Sequence, residues 1–307
     1  MEPIYGIPPD LVRGPEADVL PMVDPNWGMN KFDVERLRAI ANGSGVIVGV
    51  IDTGIDASHP DFAGKDVKAK DFTGSGSGSN DRNGHGTHCS GTIGALNPTI
   101  GVAPGCGLRH GKGLSDGGSG GGIGIAAAMR WCVEQGATIL SMSLGSSGRD
   151  PNIDEAGAEL TEKGIWVVCA AGNSGGNTGN VDFPGRLPWA LSIAAVDSNL
   201  RVASFSSAGA KIETAGAGVN IWSCRPGGGY QQMSGTSMAT PFVAGVLALY
   251  RSALLKAGKP IPNTDGIRKM LVDDSMDVHD PGIDRRVGPG TISPLLLSLN
   301  LVDSPAP

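Results

Sequence analysis

The 307-residue sequence has little positive charge, no paired cysteine motif and no long apolar run, and each absence excludes a class of function. The net charge is −6 at pH 7 with no basic block, which argues against nucleic acid as a partner. No apolar run approaches the roughly 20 residues of a membrane-spanning helix, so we expect no membrane partner. The five cysteines have no metal-type spacing, and we interpret them as small buried side chains.

The first 26 residues lack the features of an export signal. They are acidic and proline-rich, with neither a basic start nor an apolar core. We therefore expect an irregular N-terminal extension over 1–26. We also expect a reduced, cytoplasmic protein, or a secreted one if a leader has been removed.

Glycine is abundant, at 49 residues, and indicates many tight turns. Along the chain, β-branched apolar runs alternate with helical patterns. The clearest strand is Val46–Asp52, a long helix follows Thr240, and a short helix is predicted over Phe32–Ala41. This alternation predicts an α/β fold with three layers, α/β/α, around a mostly parallel central sheet.

Four polar residues stand at the ends of these predicted elements. Asp52 ends a strand, Asn173 follows another, and His85 and Ser237 each open a helix. In parallel sheets such residues gather at one edge. A serine needs a histidine to accept its proton, and the histidine needs a carboxylate to fix its tautomer. An asparagine amide and a backbone N–H suit the oxyanion that then forms.

The segments around these residues resemble the signatures of the subtilisin-like serine proteases, the subtilases, in that family's order. They are VIDTGIDASHPDF, NGHGTHCSGT, SMSLG, AAGN and GTSMATPFVAG. The resemblance implies a subtilisin-like fold and a catalytic domain over 27–300, followed by a tail over 301–307. It implies serine endopeptidase activity on proteins or peptides. Ser237 would be the nucleophile, His85 the general base, Asp52 its orienting partner and Asn173 an oxyanion donor.

The same resemblance assigns substrate binding to two short stretches. Ser143, Leu144 and Gly145 match the strand beside the primary specificity pocket, and Gly118, Ser119 and Gly120 match the opposite strand. A substrate would pair between them as an added β-strand.

Each assignment has a structural alternative. Ser237 could serve only as a helix cap, Asn173 could cap a loop, and His88 competes with His85 as the base. For His59 and His110 we expect structural or solvated roles. The alternative function is a catalytically silent subtilase fold that binds peptides as a scaffold. A serine esterase has less support, because no GxSxG elbow is present.

Asp182 departs from the family pattern. It precedes the Phe183-Pro184 step at the base of the specificity pocket, where many relatives have glycine. A carboxylate there would favour lysine or arginine in the substrate. Alternatively, Asp182 faces solvent or pairs with Arg186.

Two further departures concern calcium and the N-terminus. Subtilases often bind structural calcium, yet the loop near Asp61 is short and Lys211 accompanies Glu213, so we expect altered sites, no metal ligands and no cofactor required for catalysis. The extension resembles the short inhibitory extensions of intracellular relatives. Its Ile-Pro-Pro resists cleavage, and Arg13 is a candidate self-cleavage point. The alternative is a loose or surface-packed tail.

Overall fold

A parallel sheet forms the centre of the computed structural model, which describes residues 2–8, 10–21, 24–177 and 180–303. Its strands are β3 (Ile47–Asp52), β4 (Val67–Asp71), β5 (Gly107–Lys112), β7 (Ile139–Met142), β8 (Trp166–Ala170), β9 (Ala190–Val196) and β10 (Ile212–Ala217). The order is β10-β9-β8-β7-β3-β5-β4, and all neighbours run parallel. The central strands β7, β8 and β9 are buried throughout, as a sheet covered on both faces requires.

Helices cover both faces of this sheet. They are α1 (Trp27–Lys31), α2 (Val34–Ile40), α3 (His85–Gly94), α4 (Gly122–Glu134), α5 (Pro151–Glu162), α6 (Thr236–Lys256), α7 (Thr264–Asp274) and α8 (Pro294–Asp303). One buried core joins α2, α3, α6 and α7 to the sheet, and a second core joins α4 and α5 to its other face. The predicted three-layer α/β/α class is therefore confirmed.

Helix α6 is long and apolar enough to cross a membrane by length and composition alone. In the structure, however, 83% of its most apolar window is buried inside the protein. Its apolar faces pack against the sheet, which accounts for its composition.

The expectation of an irregular N-terminus is wrong. Strand β1 (Ile4–Gly6) pairs antiparallel with β6 (Ser119–Gly121). Strand β2 (Val12–Ala17) pairs antiparallel with β12 (Tyr230–Ser234), which also pairs with β11 (Ile221–Cys224). These extension strands are short and contain glycine and proline, so their own pattern does not reveal them. The edges that they pair with come from distant parts of the chain.

Two other boundaries differ from prediction. The expected helix over 32–41 begins only at Val34, as α2, because Asp33 adopts a left-handed conformation with φ of 53°, and a separate short helix, α1, ends before it at Lys31. The predicted tail over 301–307 begins inside α8, which continues to Asp303, and its last four residues lie outside the described residues.

Candidate active site

The predicted catalytic residues lie together beyond the carboxyl ends of the sheet strands. Asp52 is the last residue of β3, and Asn173 follows β8 by three positions. His85 opens α3, and Ser237 is the second residue of α6. All four are at most 1% exposed. Residues distant in sequence therefore share one buried site at the sheet edge.

Asp52 and His85 form a direct pair. The Asp52 Oδ1 and His85 Nδ1 atoms are 2.7 Å apart, and the Thr53 N–H also donates to Oδ1 at 2.7 Å. Burial alone would raise the pKa of Asp52, but the charge and hydrogen bond of His85 outweigh it and lower that pKa. The carboxylate thus remains ionised and holds the proton of His85 on Nδ1, leaving Nε2 as the basic nitrogen.

Ser237 does not bond to His85 in this state. Its hydroxyl donates to the Ser143 carbonyl at 3.3 Å, and His85 Nε2 is buried without a hydrogen-bond partner among the described residues. The backbone of Ser237 is also held in place, because the Ser143 hydroxyl donates to the Ser237 carbonyl at 2.9 Å. Long or absent nucleophile–base bonds are common in sites without substrate.

The Asn173 amide is oriented by the start of α6. Its Oδ1 accepts from the Thr236 N–H at 3.0 Å and from the Thr236 hydroxyl at 2.8 Å. The other end of the amide, Nδ2, is buried with no acceptor among the described residues. A donor thus points into the site without a partner, which costs stability unless a ligand atom supplies one.

The start of α3 depends on residues that sequence reasoning missed. The Asp81 carboxylate accepts from the Gly84 and Thr87 N–H groups, both at 2.8 Å, and so caps the helix that carries His85. A Cβ at Gly86 would lie 2.2 Å from the Gly54 carbonyl, so only glycine lets α3 approach the loop after Asp52. An aspartate four residues before the histidine was the available signal.

The other two histidines near the site are buried and structural. His88 Nε2 lies 3.0 Å from the Ile221 carbonyl and 3.1 Å from the Gln231 carbonyl, and burial lowers its pKa to about 3. His110 accepts from the Gly54 N–H at 3.1 Å and lies 3.0 Å from the Ser90 hydroxyl. Burial lowers the pKa of His110 to about 4, although the nearby Asp52 and Asp81 raise it.

The two predicted substrate-binding stretches are occupied by the N-terminal extension. Gly6 exchanges two backbone hydrogen bonds with Gly145, of 3.1 and 2.9 Å, and pairs with Ser119 on its other side. The Ile7 N–H donates to the Gly118 carbonyl at 3.1 Å. The β1 strand therefore lies between the edges that were assigned to substrate.

The chain then turns beside Asn173 and the start of α6. The Leu11 N–H donates to the Pro8 carbonyl at 3.1 Å, which closes the turn. A Cβ at Gly235 would meet Leu11 Cδ1 at 3.0 Å and Asn173 Nδ2 at 3.2 Å, so the Leu11 side chain lies beside the unbonded amide. From there β2 leads the extension away from the site.

Tyr5 anchors β1 in a pocket. It is fully buried among apolar residues that include Leu114 and Leu144, and burial raises its pKa to about 12. Its hydroxyl donates to the Gly148 carbonyl at 3.0 Å and accepts from the Asp150 N–H at 3.1 Å. The neighbouring Ile4 is 69% exposed. The strand thus presents one face to the protein and one to solvent.

Comparison with known proteins agrees with this geometry. The profile of the subtilase family matches residues 43–290. The chain belongs to the subtilase family. It is 41% identical over 240 residues to alkaline elastase YaB from Bacillus sp. (strain YaB), covering 77% of this chain and 62% of that relative. It is 41% identical over 232 residues to subtilisin DY from Bacillus licheniformis, covering 74% and 84%. Thermitase from Thermoactinomyces vulgaris is 37% identical over 238 residues, covering 75% and 85%.

Asp182, which the sequence places at the base of the specificity pocket as an expectation, lies beside Gly145 and Gly172. A Cβ at Gly145 would lie 3.0 Å from Asp182 Oδ2, and one at Gly172 would lie 2.3 Å from it, so two glycines make room for the carboxylate. No described residue donates a hydrogen bond to that carboxylate. Arg186 lies over the Phe183 ring and donates its Nε–H to a backbone carbonyl instead. Burial raises the pKa of Asp182 to about 6, although the charge of Arg186 lowers it.

Subtilases need no cofactor for catalysis and commonly bind structural calcium. Here the Asp61 Oδ2 atom accepts from the Tyr230 hydroxyl at 3.1 Å and lies 3.7 Å from Cys224 Sγ. Sulfur is a poor ligand for calcium, which prefers oxygen. At the second expected calcium position, Lys211 is exposed, and Arg268 Nε lies 2.9 Å from the Glu213 carboxylate. The sequence suggested that a lysine ammonium could occupy the place of this ion, whereas in the structure the cation paired with Glu213 is Arg268.

Two groups of metal-type side chains lie in the described part of the chain. We call Asp52, His85 and Cys89 the active-site cluster, and His59, Asp61 and Cys224 the second cluster. In each, one ligand atom from every residue lies within 4.8 Å of the others. Only the first contacts Ser237, through a Cys89 Sγ–Ser237 carbonyl distance of 3.5 Å.

Proposed function

We propose that this chain is a serine endopeptidase that hydrolyses peptide bonds through an acyl-enzyme. The observation that carries the proposal is the buried His85, bonded to Asp52 through Nδ1 and left open at Nε2. When substrate enters, the Ser237 hydroxyl rotates from the Ser143 carbonyl toward Nε2. His85 takes its proton while Oγ attacks the substrate carbonyl, and then returns the proton to the leaving amine. Water repeats the sequence on the acyl-enzyme.

The tetrahedral intermediate needs donors that are already in place. The open Nδ2 of Asn173 and the Ser237 N–H at the start of α6 are the donors that we assign to the oxyanion. No comparison supports the silent scaffold, and a partnerless amide and imidazole would be a cost without function in such a protein.

The primary test compares the full chain with Ser237→Ala over time. We expect only the unaltered chain to digest casein, and intact mass should show whether it also trims its own N-terminus. Ser237→Ala should remain intact and inactive. Casein cleavage by Ser237→Ala at a comparable rate would contradict the assignment of the nucleophile.

We propose that Asp182 gives the enzyme a preference for arginine or lysine at the residue before the cleaved bond. Supporting this, its carboxylate has no hydrogen-bond donor among the described residues and faces Gly145 and Gly172. A substrate cation would supply the missing partner. A hydrogen bond to a charged group contributes about 1.5–3 kcal/mol, which corresponds to a preference of about tenfold or more.

The ratio of kcat/KM for matched arginyl and phenylalanyl peptides tests this preference. Because the pKa of Asp182 is raised to about 6, the carboxyl is neutral below that pH and the ratio should rise as pH increases through 6. Any ionisation that affects both substrates equally cancels in the ratio. Asp182→Asn should lose both the preference and its pH dependence. A phenylalanyl preference at pH 8 would refute the proposal.

We also propose that the extension, residues 1–26, inhibits the catalytic domain, residues 27–300, by occupying its substrate cleft. The support is the pairing of β1 with both cleft edges, as a substrate strand would pair. Burial of Tyr5 adds apolar stabilisation to these backbone bonds. The 301–307 segment has no role in the proposal.

Pro8 explains why the extension would resist cleavage. If the antiparallel register set by Gly6 and Gly145 continued, position 8 would be opposite Ser143, but the carbonyl of Pro8 instead accepts from the Leu11 N–H in a turn. Proline has no N–H to donate there, and the Ser143 carbonyl accepts from Ser237 instead. The nucleophile is thereby held away from its base.

Two matched variants of neighbouring residues in β1 test whether this strand inhibits the enzyme. Tyr5→Ala removes a buried anchor and should raise the initial rate on a short peptide by about tenfold or more, since loss of a buried aromatic costs about 3–5 kcal/mol. Ile4→Ala changes an exposed side chain and should alter that rate less than about twofold. Equal rates for both variants would contradict inhibition by β1.

Activation would follow cleavage after Arg13 by a second molecule. Arg13 lies in β2, pairs with Met233 and donates to Asn83 at 2.6 Å, so in this arrangement its peptide bond is not presented to Ser237 of the same chain. The rate of processing per molecule should therefore rise with protein concentration. A concentration-independent rate would indicate cleavage within one chain.

We propose that the subtilase calcium positions are altered, so no calcium is essential. Asp61 and Glu213 already bond to protein donors, which supports this. Metal-free protein should keep the same Tm when Ca²⁺ is added, and a large rise in Tm would contradict the proposal.

We further propose a cytoplasmic location, supported by five unpaired, buried cysteines. Fractionation of the source cells tests it.

A further inference from the structure

The second cluster joins three segments of the chain away from Ser237. His59 and Asp61 lie at a 3₁₀ turn, Pro60–Phe62, and Cys224 ends β11. His59 is 2% exposed, Cys224 is fully buried, and Asp61 is partly exposed. The three ligand atoms lie within 4.8 Å of one another. The cluster thus has two buried donors and one opening to solvent.

The orientation of His59 is fixed as in a metal-binding histidine. Its Nε2–H donates to the Gly229 carbonyl at 2.8 Å, so the lone pair is on Nδ1. That nitrogen accepts from the Asp61 N–H at 3.1 Å, so it lies next to another residue of the cluster. A carbonyl on the far nitrogen is the usual partner that sets the tautomer of a ligating imidazole.

The sulfur and carboxylate complete a zinc-type donor set. Cys224 Sγ and Asp61 Oδ2 are 3.7 Å apart, close to the separation of two ligands on one tetrahedral zinc ion with bonds of about 2.3 and 2.0 Å. Tyr230 holds Asp61 Oδ2 from outside at 3.1 Å and accepts in turn from Asn97 at 3.2 Å. Mixed nitrogen, oxygen and sulfur ligands suit zinc and not calcium.

The local charge also favours a cation. The Asp61 carboxylate lies 3.7 Å from the Cys224 thiol, and Asp56 is a second carboxylate near that thiol. Asp56 is held beside the cluster by the Gly227 N–H at 2.8 Å. A divalent ion would offset these charges.

We propose that His59, Asp61 and Cys224 bind one Zn²⁺ ion, with water as the fourth ligand on the exposed side. As the Zn–S bond forms, the thiol releases its proton to solvent, and zinc takes the Nδ1 lone pair from the Asp61 N–H. No electron is transferred. The ion would tie the turn after β11 to the loop that follows Asp52.

The test uses the full chain carrying Ser237→Ala, which prevents self-digestion, after removal of bound metal. Titration with Zn²⁺ should give one equivalent bound, and Co²⁺ should give thiolate-to-cobalt charge-transfer absorption. Cys224→Ser and His59→Gln should each weaken binding by about 100-fold or more, beyond the effect of losing an orienting partner. Circular dichroism checks that each variant folds, and weaker zinc binding by one folded variant is enough to support the proposal.

Two matched controls separate this site from others. Cys106→Ser removes another buried thiol of the same core, and Cys89→Ser removes the thiol of the active-site cluster. Both should keep zinc binding and the cobalt absorption. Loss of binding in Cys89→Ser with retention in Cys224→Ser would overturn the proposal. Absence of binding by the folded Ser237→Ala protein would overturn it too.

Discussion

The active-site cluster and the second cluster contain the same three residue types in different arrangements. In the first, the carboxylate of Asp52 accepts directly from the imidazole of His85 at 2.7 Å. In the second, the carboxylate of Asp61 lies beside the Cys224 thiol, and His59 donates to a backbone carbonyl. The first arrangement joins the carboxylate and the imidazole in one direct hydrogen bond, and the second leaves the carboxylate beside the sulfur with the imidazole bonded elsewhere. Residue types alone therefore do not determine the chemistry of a cluster.

The difference arises from the elements that present each residue. Asp52 and His85 stand at the ends of β3 and α3, where an N–H from Thr53 and a cap from Asp81 hold them. The second cluster is assembled from a turn and a strand end. Rigid elements thus produce the single directed hydrogen bond that proton transfer requires.

The largest effect should come from replacing the carboxylate of the active-site cluster by an amide. The same replacement in the second cluster is the matched comparison. Asp52→Asn removes the acceptor that fixes the tautomer of His85, and we expect kcat to fall by about 10⁴-fold. Asp61→Asn should lower kcat by less than about tenfold. Its main effect should be a lower Tm. Steady-state kinetics with unfolding curves measures both. Equal losses of kcat in the two variants would contradict the view that only the active-site cluster takes part in catalysis.

The next largest effect should follow removal of the open donor beside the active-site cluster. Asn173→Ala should lower kcat by about 10²–10³-fold with little change in KM, a loss known for an oxyanion asparagine in a subtilisin. Thr236→Val, which removes one hydroxyl that orients the amide, should give an intermediate loss. A change confined to KM would instead indicate a role in ground-state binding.

A pH titration of stability sharpens the contrast between His85, paired with a carboxylate, and His88, paired with carbonyls. The pKa of His88 is lowered to about 3, so below the unfolded value of about 6.5 the unfolded chain binds the extra proton. Stability should fall with decreasing pH, by up to about 1.4 kcal/mol per unit for this group. Denaturant unfolding of Ser237→Ala measures it, and His88→Gln should flatten the slope. An unchanged slope would show that other groups dominate.

The smallest effect concerns the thiols, one in each cluster. Burial and nearby carboxylates raise the pKa of both Cys89 and Cys224, so neither is ionised near neutral pH. Iodoacetamide should label neither in native Ser237→Ala protein, whereas all five cysteines should react after denaturation. Intact mass and peptide mapping give the result. Rapid labelling of Cys89 alone would mean that its thiol is more reactive than its surroundings predict.

The sequence predicted the fold class and the grouping of the four candidate catalytic residues at one sheet edge, because both depend on local signals. Buried strands are apolar runs, and Asp52, His85, Asn173 and Ser237 each follow or open such an element. Strand β5 was missed because Gly107–Lys112 contains arginine, histidine and lysine, whose burial and hydrogen bonds arise only in the folded protein. The pairings of β1 and β2 were missed because their partners are distant in sequence.

Because β1 belongs to the same chain as the cleft that it occupies, the proposed inhibition would not depend on protein concentration, as inhibition by a free peptide would. A tethered strand stays at the same effective concentration however far the protein is diluted, so dilution does not open the site. A collision between two molecules, by contrast, becomes rarer with the square of concentration. If the extension inhibits and is cut between molecules, as proposed, newly made and sparse chains would remain closed, and their accumulation would start a self-accelerating conversion.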